Sequence, residues 1–147
     1  MLYSSAGRPR VLVVAYGQMV GTGLDVGRRL TQQGIPATVV DPVWALPVGD
    51  DLLDLAGDHD LVVTIEDNCV VGGVGARLEQ VMADREITTP TQTFGIPDQY
   101  LEQGSRGQLL TDLGLTGQVI ARSVVEHMLR LDRVPAAPAV DVRPETD

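Results

Sequence analysis

The stretch LVVTIEDNCVVGGVGARLEQVM, residues 61 to 82, joins an unbroken apolar run to a pattern of helical spacing. Leu61 to Glu66 read as a strand covered on both faces, because such strands show continuous Val, Ile and Leu rather than alternation. Gly73 to Asp84 read as a helix with Val74, Leu78, Val81 and Met82 on one side. Between them lie Glu66 and Asp67, the chain's only Asn and only Cys (Asn68 and Cys69), and Gly72, Gly73 and Gly75. In an open α/β sheet the carboxyl ends of the strands line the crevice where ligands usually bind. The N-terminus of the following helix is electropositive there. The junction therefore has two readings. In one it is a small-anion site, with the glycines letting backbone N–H groups approach the ligand. In the other, Glu66 or Asp67 itself accepts those N–H groups. We favour the second, because a carboxylate one loop away competes strongly with any outside anion.

The flanking sequence repeats the same alternation. Arg10 to Gly17, Ala37 to Asp41 and Thr91 to Phe94 are further strand candidates. Val20 to Gln33, Asp50 to Ala56, Ser105 to Leu113 and Thr116 to Leu131 have helical periodicity or helix-start signals. Strands alternating with helices imply a mostly parallel sheet covered on both faces. A loop bracketed by Pro42 and Pro47 carries the only tryptophan, Trp44. Residues 132–147 are rich in Pro, Ala and charge, and are expected to form a disordered tail behind a single domain of residues 1–131.

Composition excludes several classes of function. With 147 residues and 44% apolar content, the chain suits one domain with one sizeable core. No apolar run approaches the roughly 20 residues a membrane-spanning helix needs, and Met1 to Ser5 lack the marks of a signal peptide. A single cysteine offers neither disulfide nor metal cluster, which points to a reducing, cytoplasmic setting. A net charge of −9 opposes nucleic-acid binding. All eleven basic residues are arginine, so neither a Schiff-base lysine nor a P-loop lysine is available. His59 is expected to be exposed between Asp58 and Asp60, His127 to sit at a surface or interface, and Cys69 to be a small packing residue. No nucleophile–histidine–acid set can be assembled from these groups.

A second ligand candidate is Gly21-Thr22-Gly23-Leu24-Asp25-Val26-Gly27, followed by Asp41 at about the spacing of a ribose-binding acid. This would make a dinucleotide-binding module. However, Gly21 and Gly23 fall inside the first turn of the helix rather than at the strand end. Close packing of that helix on the sheet is the favoured reading.

Four ordered segments together resemble the C-terminal domain of the transketolase family, and more closely that of 1-deoxy-D-xylulose-5-phosphate synthases. They are Leu61 to Asn68 with Gly72-Gly73-Val74-Gly75; Val39-Val40-Asp41-Pro42-Val43-Trp44-Ala45-Leu46-Pro47-Val48; Phe94-Gly95-Ile96-Pro97-Asp98 with Tyr100 and Gly104-Ser105-Arg106; and Leu113-Gly114-Leu115-Thr116 with Ile120. The resemblance covers roughly Arg10 to Leu131. It implies a three-layer α/β/α sandwich whose mostly parallel five-stranded sheet has one antiparallel edge strand, its first, here confined to Met1 to Ala6. It also implies a transferase that condenses pyruvate with glyceraldehyde 3-phosphate for isoprenoid and thiamine synthesis, using thiamine diphosphate and Mg²⁺. Two other domains of such an enzyme hold that cofactor, and 147 residues do not accommodate them. No catalytic, cofactor-binding or metal-ligating residue therefore carries over, and none of these groups is expected to bind this chain alone. What carries over is a scaffold and dimer-contact role. It implies a homo- or hetero-oligomer with a chain or domains bearing the thiamine modules, and neither nucleic acid nor membrane as partner. The structural or interface candidates are Glu66, Asp67, Asn68, Gly72, Gly73, Gly75, Pro97 and Asp98.

Overall fold

The computed structural model describes residues 1–100 and 103–133. The strands are β1 (Tyr3–Ser4), β2 (Val11–Ala15), β3 (Ala37–Val40), β4 (Leu61–Cys69) and β5 (Thr91–Ile96). The helices are α1 (Val20–Gln32), α2 (Asp50–Asp58), α3 (Val74–Asp84), α4 (Arg106–Asp112) and α5 (Gly117–Arg133), with a short 3₁₀ turn, Gly17–Met19, ahead of α1. The sheet order is β1-β3-β2-β4-β5. All pairings are parallel except the first, where Tyr3 and Ser4 run antiparallel against Val39 and Thr38. The antiparallel edge strand implied by the resemblance is thus present, two residues long.

Alternation along the buried strands assigns the layers. Val11, Val13, Ala15, Val39, Val63 and Ile65 face α1 and α5, which contribute Val26, Leu30, Ile120, Val124 and Met128. Leu12, Val14, Val40 and Val62 face α2 and α3, which contribute Leu52, Leu53, Ala56, Leu78 and Met82. Helices on both faces of one sheet complete the α/β/α sandwich.

Three elements differ from the expectations above. Strand β4 continues through Cys69, three residues beyond Glu66. Helix α5 runs through Arg133, so Asp132 is helical rather than part of a tail. Asp132 is held there by Arg10, whose guanidinium reaches it at 2.6 Å and Asp60 at 2.8 Å. These contacts, Asp132 first, raise the Arg10 pKa and lower that of Asp132. The rest of the expected tail, residues 134–147, lies outside the described residues. His59 is 5% exposed, not a surface residue. It continues the α2 stripe of Leu52, Leu55 and Ala56 by one further turn. Its Nδ1 donates to the Leu55 carbonyl at 2.6 Å, and its Nε2 lies 3.0 Å from Thr38 Oγ1. A polar ring with both nitrogens satisfied can be buried at little cost. His127 is half-buried on α5 and hydrogen-bonds Gln92 of β5 at 3.1 Å; burial, then Arg130, lowers its pKa. Among the described residues no helix is long and apolar enough to cross a membrane.

Candidate functional site

The β4–α3 junction is built around Glu66. Ile65 pairs with Phe94 of β5, but the next paired residue, Cys69, faces Ile96. Residues 66–68 therefore bulge out of the ladder, and such bulges re-aim side chains. Glu66 points under the start of α3. Its Oε2 accepts the Val74 N–H and its Oε1 the Gly75 N–H, each at 3.0 Å. The side chain is fully buried. A carboxylate that receives two N–H groups of a helix start satisfies donors that α3 itself leaves unpaired, and it gains from the dipole.

The glycines serve this carboxylate. A Cβ on Gly73 would strike Glu66 Oε2 and the Cys69 carbonyl. A Cβ on Gly75 would lie 2.5 Å from Thr64 Oγ1 and 3.1 Å from Glu66 Oε1. Gly95 closes the third side, where a Cβ would lie 3.0 Å from Glu66 Cγ. Gly95 was not among the interface candidates. The strand expected from the sequence ends at Phe94; carried on to Ile96, where β5 ends, it would have enclosed an isolated glycine, which marks close backbone approach. Gly72 plays a different part: it is exposed, at φ +72°, and turns the chain between β4 and α3.

The remaining candidates scatter from Glu66. Asp67 is half-buried and pairs with Arg106 of α4 at 2.9 Å. Asn68 and Asp98 are exposed, and Pro97 is half-buried beyond the end of β5. Arg106, absent from the candidate set, ties α4 to β4, yet a half-exposed pair of this kind contributes only ~0–1 kcal/mol.

The dinucleotide reading does not survive the geometry. Gly23 and Gly27 sit on the sheet-facing side of α1, where a Cβ would lie 2.5 Å from Ala15 Cβ and from Val39 Cγ2 respectively. Asp41 accepts the Val43 N–H of its own turn at 2.9 Å. The motif is a close-packing device, and Asp41 stabilises the loop that follows β3.

That loop carries three exposed apolar side chains, Val43, Trp44 and Leu46. The Trp44 N–H reaches back to the Pro42 carbonyl at 2.6 Å, closing a γ-turn with Val43 at φ 62°. A β-branched residue in the left-handed region is strained, by about 1–3 kcal/mol. The turn holds Val43 and Trp44 outward, 79% and 75% exposed.

Tyr16, at the end of β2, is 9% exposed on the same side of the sheet as Glu66. Burial, then the Glu66 carboxylate, pushes its phenol up to about 12 from 10. The unfolded chain releases this proton near pH 10 and the folded chain near pH 12, so the folded state holds more protons in between. Stability should therefore fall as pH rises from 10 to 12, by ~2–3 kcal/mol for this one group. Urea midpoints followed by circular dichroism across that window check it; Tyr16→Phe should flatten the slope, and an unchanged slope would assign it elsewhere.

The model of the transketolase C-terminal domain matches residues 4–120. The chain belongs to the transketolase C-terminal domain family. Among curated relatives, a 1-deoxy-D-xylulose-5-phosphate synthase of Clavibacter sepedonicus is 47% identical over 93% of this chain and 21% of its own length. A 1-deoxy-D-xylulose-5-phosphate synthase 1 of Kitasatospora griseola is 48% identical over 84% of this chain and 19% of its own. This transketolase C-terminal domain thus spans about a fifth of the length of the curated relatives it matches. Among solved structures, a split-gene transketolase described as an inactive beta4 tetramer superposes with a TM-score of 0.75 at 29% identity, over 84% of this chain and 40% of that one. A transketolase from Pichia stipitis shares the fold at a TM-score of 0.62 and 16% identity, over 88% of this chain and 18% of that one.

Proposed function

We propose that the chain is the C-terminal domain of a thiamine-diphosphate-dependent 1-deoxy-D-xylulose-5-phosphate synthase, or a subunit that completes one. It would brace the domains that condense pyruvate with glyceraldehyde 3-phosphate, help form the oligomer, and work in the cytoplasm. Two synthases at 47% and 48% identity support the assignment. One observation carries the scaffold role: Glu66 is fully buried, with both oxygens engaged at the start of α3. The strand-to-helix junction, where an α/β domain would hold an anion, is thus filled by the chain's own carboxylate.

Thiamine diphosphate does not fit the β4–α3 junction. A diphosphate at this junction would need the N–H groups of Val74 and Gly75, which Glu66 already occupies. Among the described residues no three of His, Cys, Asp or Glu are grouped so as to hold its magnesium ion. The purified chain should therefore give no product from pyruvate and glyceraldehyde 3-phosphate with thiamine diphosphate and Mg²⁺. Turnover by the chain alone, measured as carbon dioxide release, would overturn the scaffold reading.

A further inference from the structure

We propose that the β3–α2 and β4–α3 loops form one apolar docking ridge, and that it seats in an apolar recess with a basic rim on the part of a synthase outside this fifth. The proposal deepens the reading above and rests on it. Trp44 at 75%, Leu46 at 57% and Val71 at 68% exposure come from two loops far apart in sequence. Leu46 and Val71 nevertheless line one shared depression of about 320 Å³. Trp44 borders a second, of about 410 Å³, that is flanked by Asp41 and Asp51. Single exposed apolar residues need no explanation, but a contiguous set with a polar edge marks an interaction surface. Trp44 stands two residues from Leu46 on the same loop, and exposed tryptophan is among the residue types enriched at binding hot spots.

Charge selects the occupant. Asp41 and Asp51 flank the depression beside Trp44, and Arg77 the one shared by Leu46 and Val71, on a chain of net charge −9. Two copies would each bring a net charge of −9 to an isologous pairing through this face, which opposes it. A partner with arginine or lysine around its recess, and a carboxylate opposite Arg77, complements it instead. About four-fifths of each related synthase lies outside the matched region, and that remainder is the surface such a ridge is built to meet.

The test uses the Clavibacter sepedonicus synthase with its matching fifth replaced by this chain. Hydrogen exchange is followed over residues 43–46 and 71–74 in the free chain and in the chimaera, alongside synthase activity. The expected result is an active chimaera in which these amides exchange at least tenfold more slowly than in the free chain. Trp44→Glu with Val71→Glu should abolish that protection while leaving the free chain's melting temperature unchanged. An active chimaera whose ridge exchanges as fast as in the free chain overturns the ridge and leaves the scaffold reading standing. A folded but inactive chimaera overturns both. A free chain that sediments as a dimer, and that Trp44→Glu converts to monomer, assigns the ridge to a second copy and also refutes the proposal.

Discussion

Glu66→Ala should lower the stability of the folded chain by ~4 kcal/mol, a large part of the ~5–15 kcal/mol that holds a domain together. The estimate follows from what the substitution leaves behind. The Val74 and Gly75 N–H groups lose their acceptor inside a closed cradle, and each buried unpaired donor costs ~1–3 kcal/mol. The favourable contact of a negative charge with the start of α3 disappears as well. Glu66→Gln tests the electrostatics more finely. Its amide keeps one acceptor oxygen but turns a donor toward the other N–H, so about half the loss is expected, ~2 kcal/mol. Urea unfolding gives both values, and hydrogen exchange at Val74 and Gly75 should show local opening of α3 first. A Glu66→Ala chain as stable as the parent would mean that the buried carboxylate does not hold this junction.

The second large effect separates two glycines of one motif. Gly23→Ala should destabilise the chain by ~1–3 kcal/mol. Gly21→Ala should be neutral or slightly stabilising, within the ~1 kcal/mol that alanine gains over glycine in a helix. Both positions lie in α1, so the helix-propensity gain is similar in kind. The difference is the sheet. A Cβ at Gly23 would lie 2.5 Å from Ala15 Cβ, an atom fixed to the backbone of a central strand, whereas Gly21 has open space around it. The clash at Gly23 can be relieved only by moving α1 away from β2, and the loosened packing outweighs the propensity gain. Thermal unfolding of the two variants gives the comparison. Equal stabilities would remove the packing explanation for the G-x-G spacing, and a titration with NAD would then become the deciding measurement.

Both substitutions act where the amino-acid sequence was informative. The order of strands and helices was legible because unbroken apolar runs and helical spacing are local properties of the chain. The capping role of Glu66 was legible because an acid one loop before a helix start has an obvious electrostatic partner. The packing role of Gly23 was legible because the glycine lies within the helix instead of ahead of it. Family membership came from four motifs in a fixed order, which no single segment would have carried.

Other features depend on contacts between distant parts of the chain. The β4 bulge opposite β5 brings Gly95 against Glu66, and nothing near residue 66 announces it. Burial of His59 depends on Thr38, 21 residues away, supplying a partner for its second nitrogen. Asp132 pairs with an arginine 122 residues earlier. The joining of Leu46 to Val71 into one surface likewise follows from β3 and β4 flanking β2, with their loops emerging at the same end of the sheet. By itself, then, the sequence determined the elements, their order and the local chemistry at their ends, since those follow from neighbouring residues. The tertiary structure alone decided which polar groups are satisfied and which apolar groups are left in water, because that depends on how the parallel crossovers bring remote segments together.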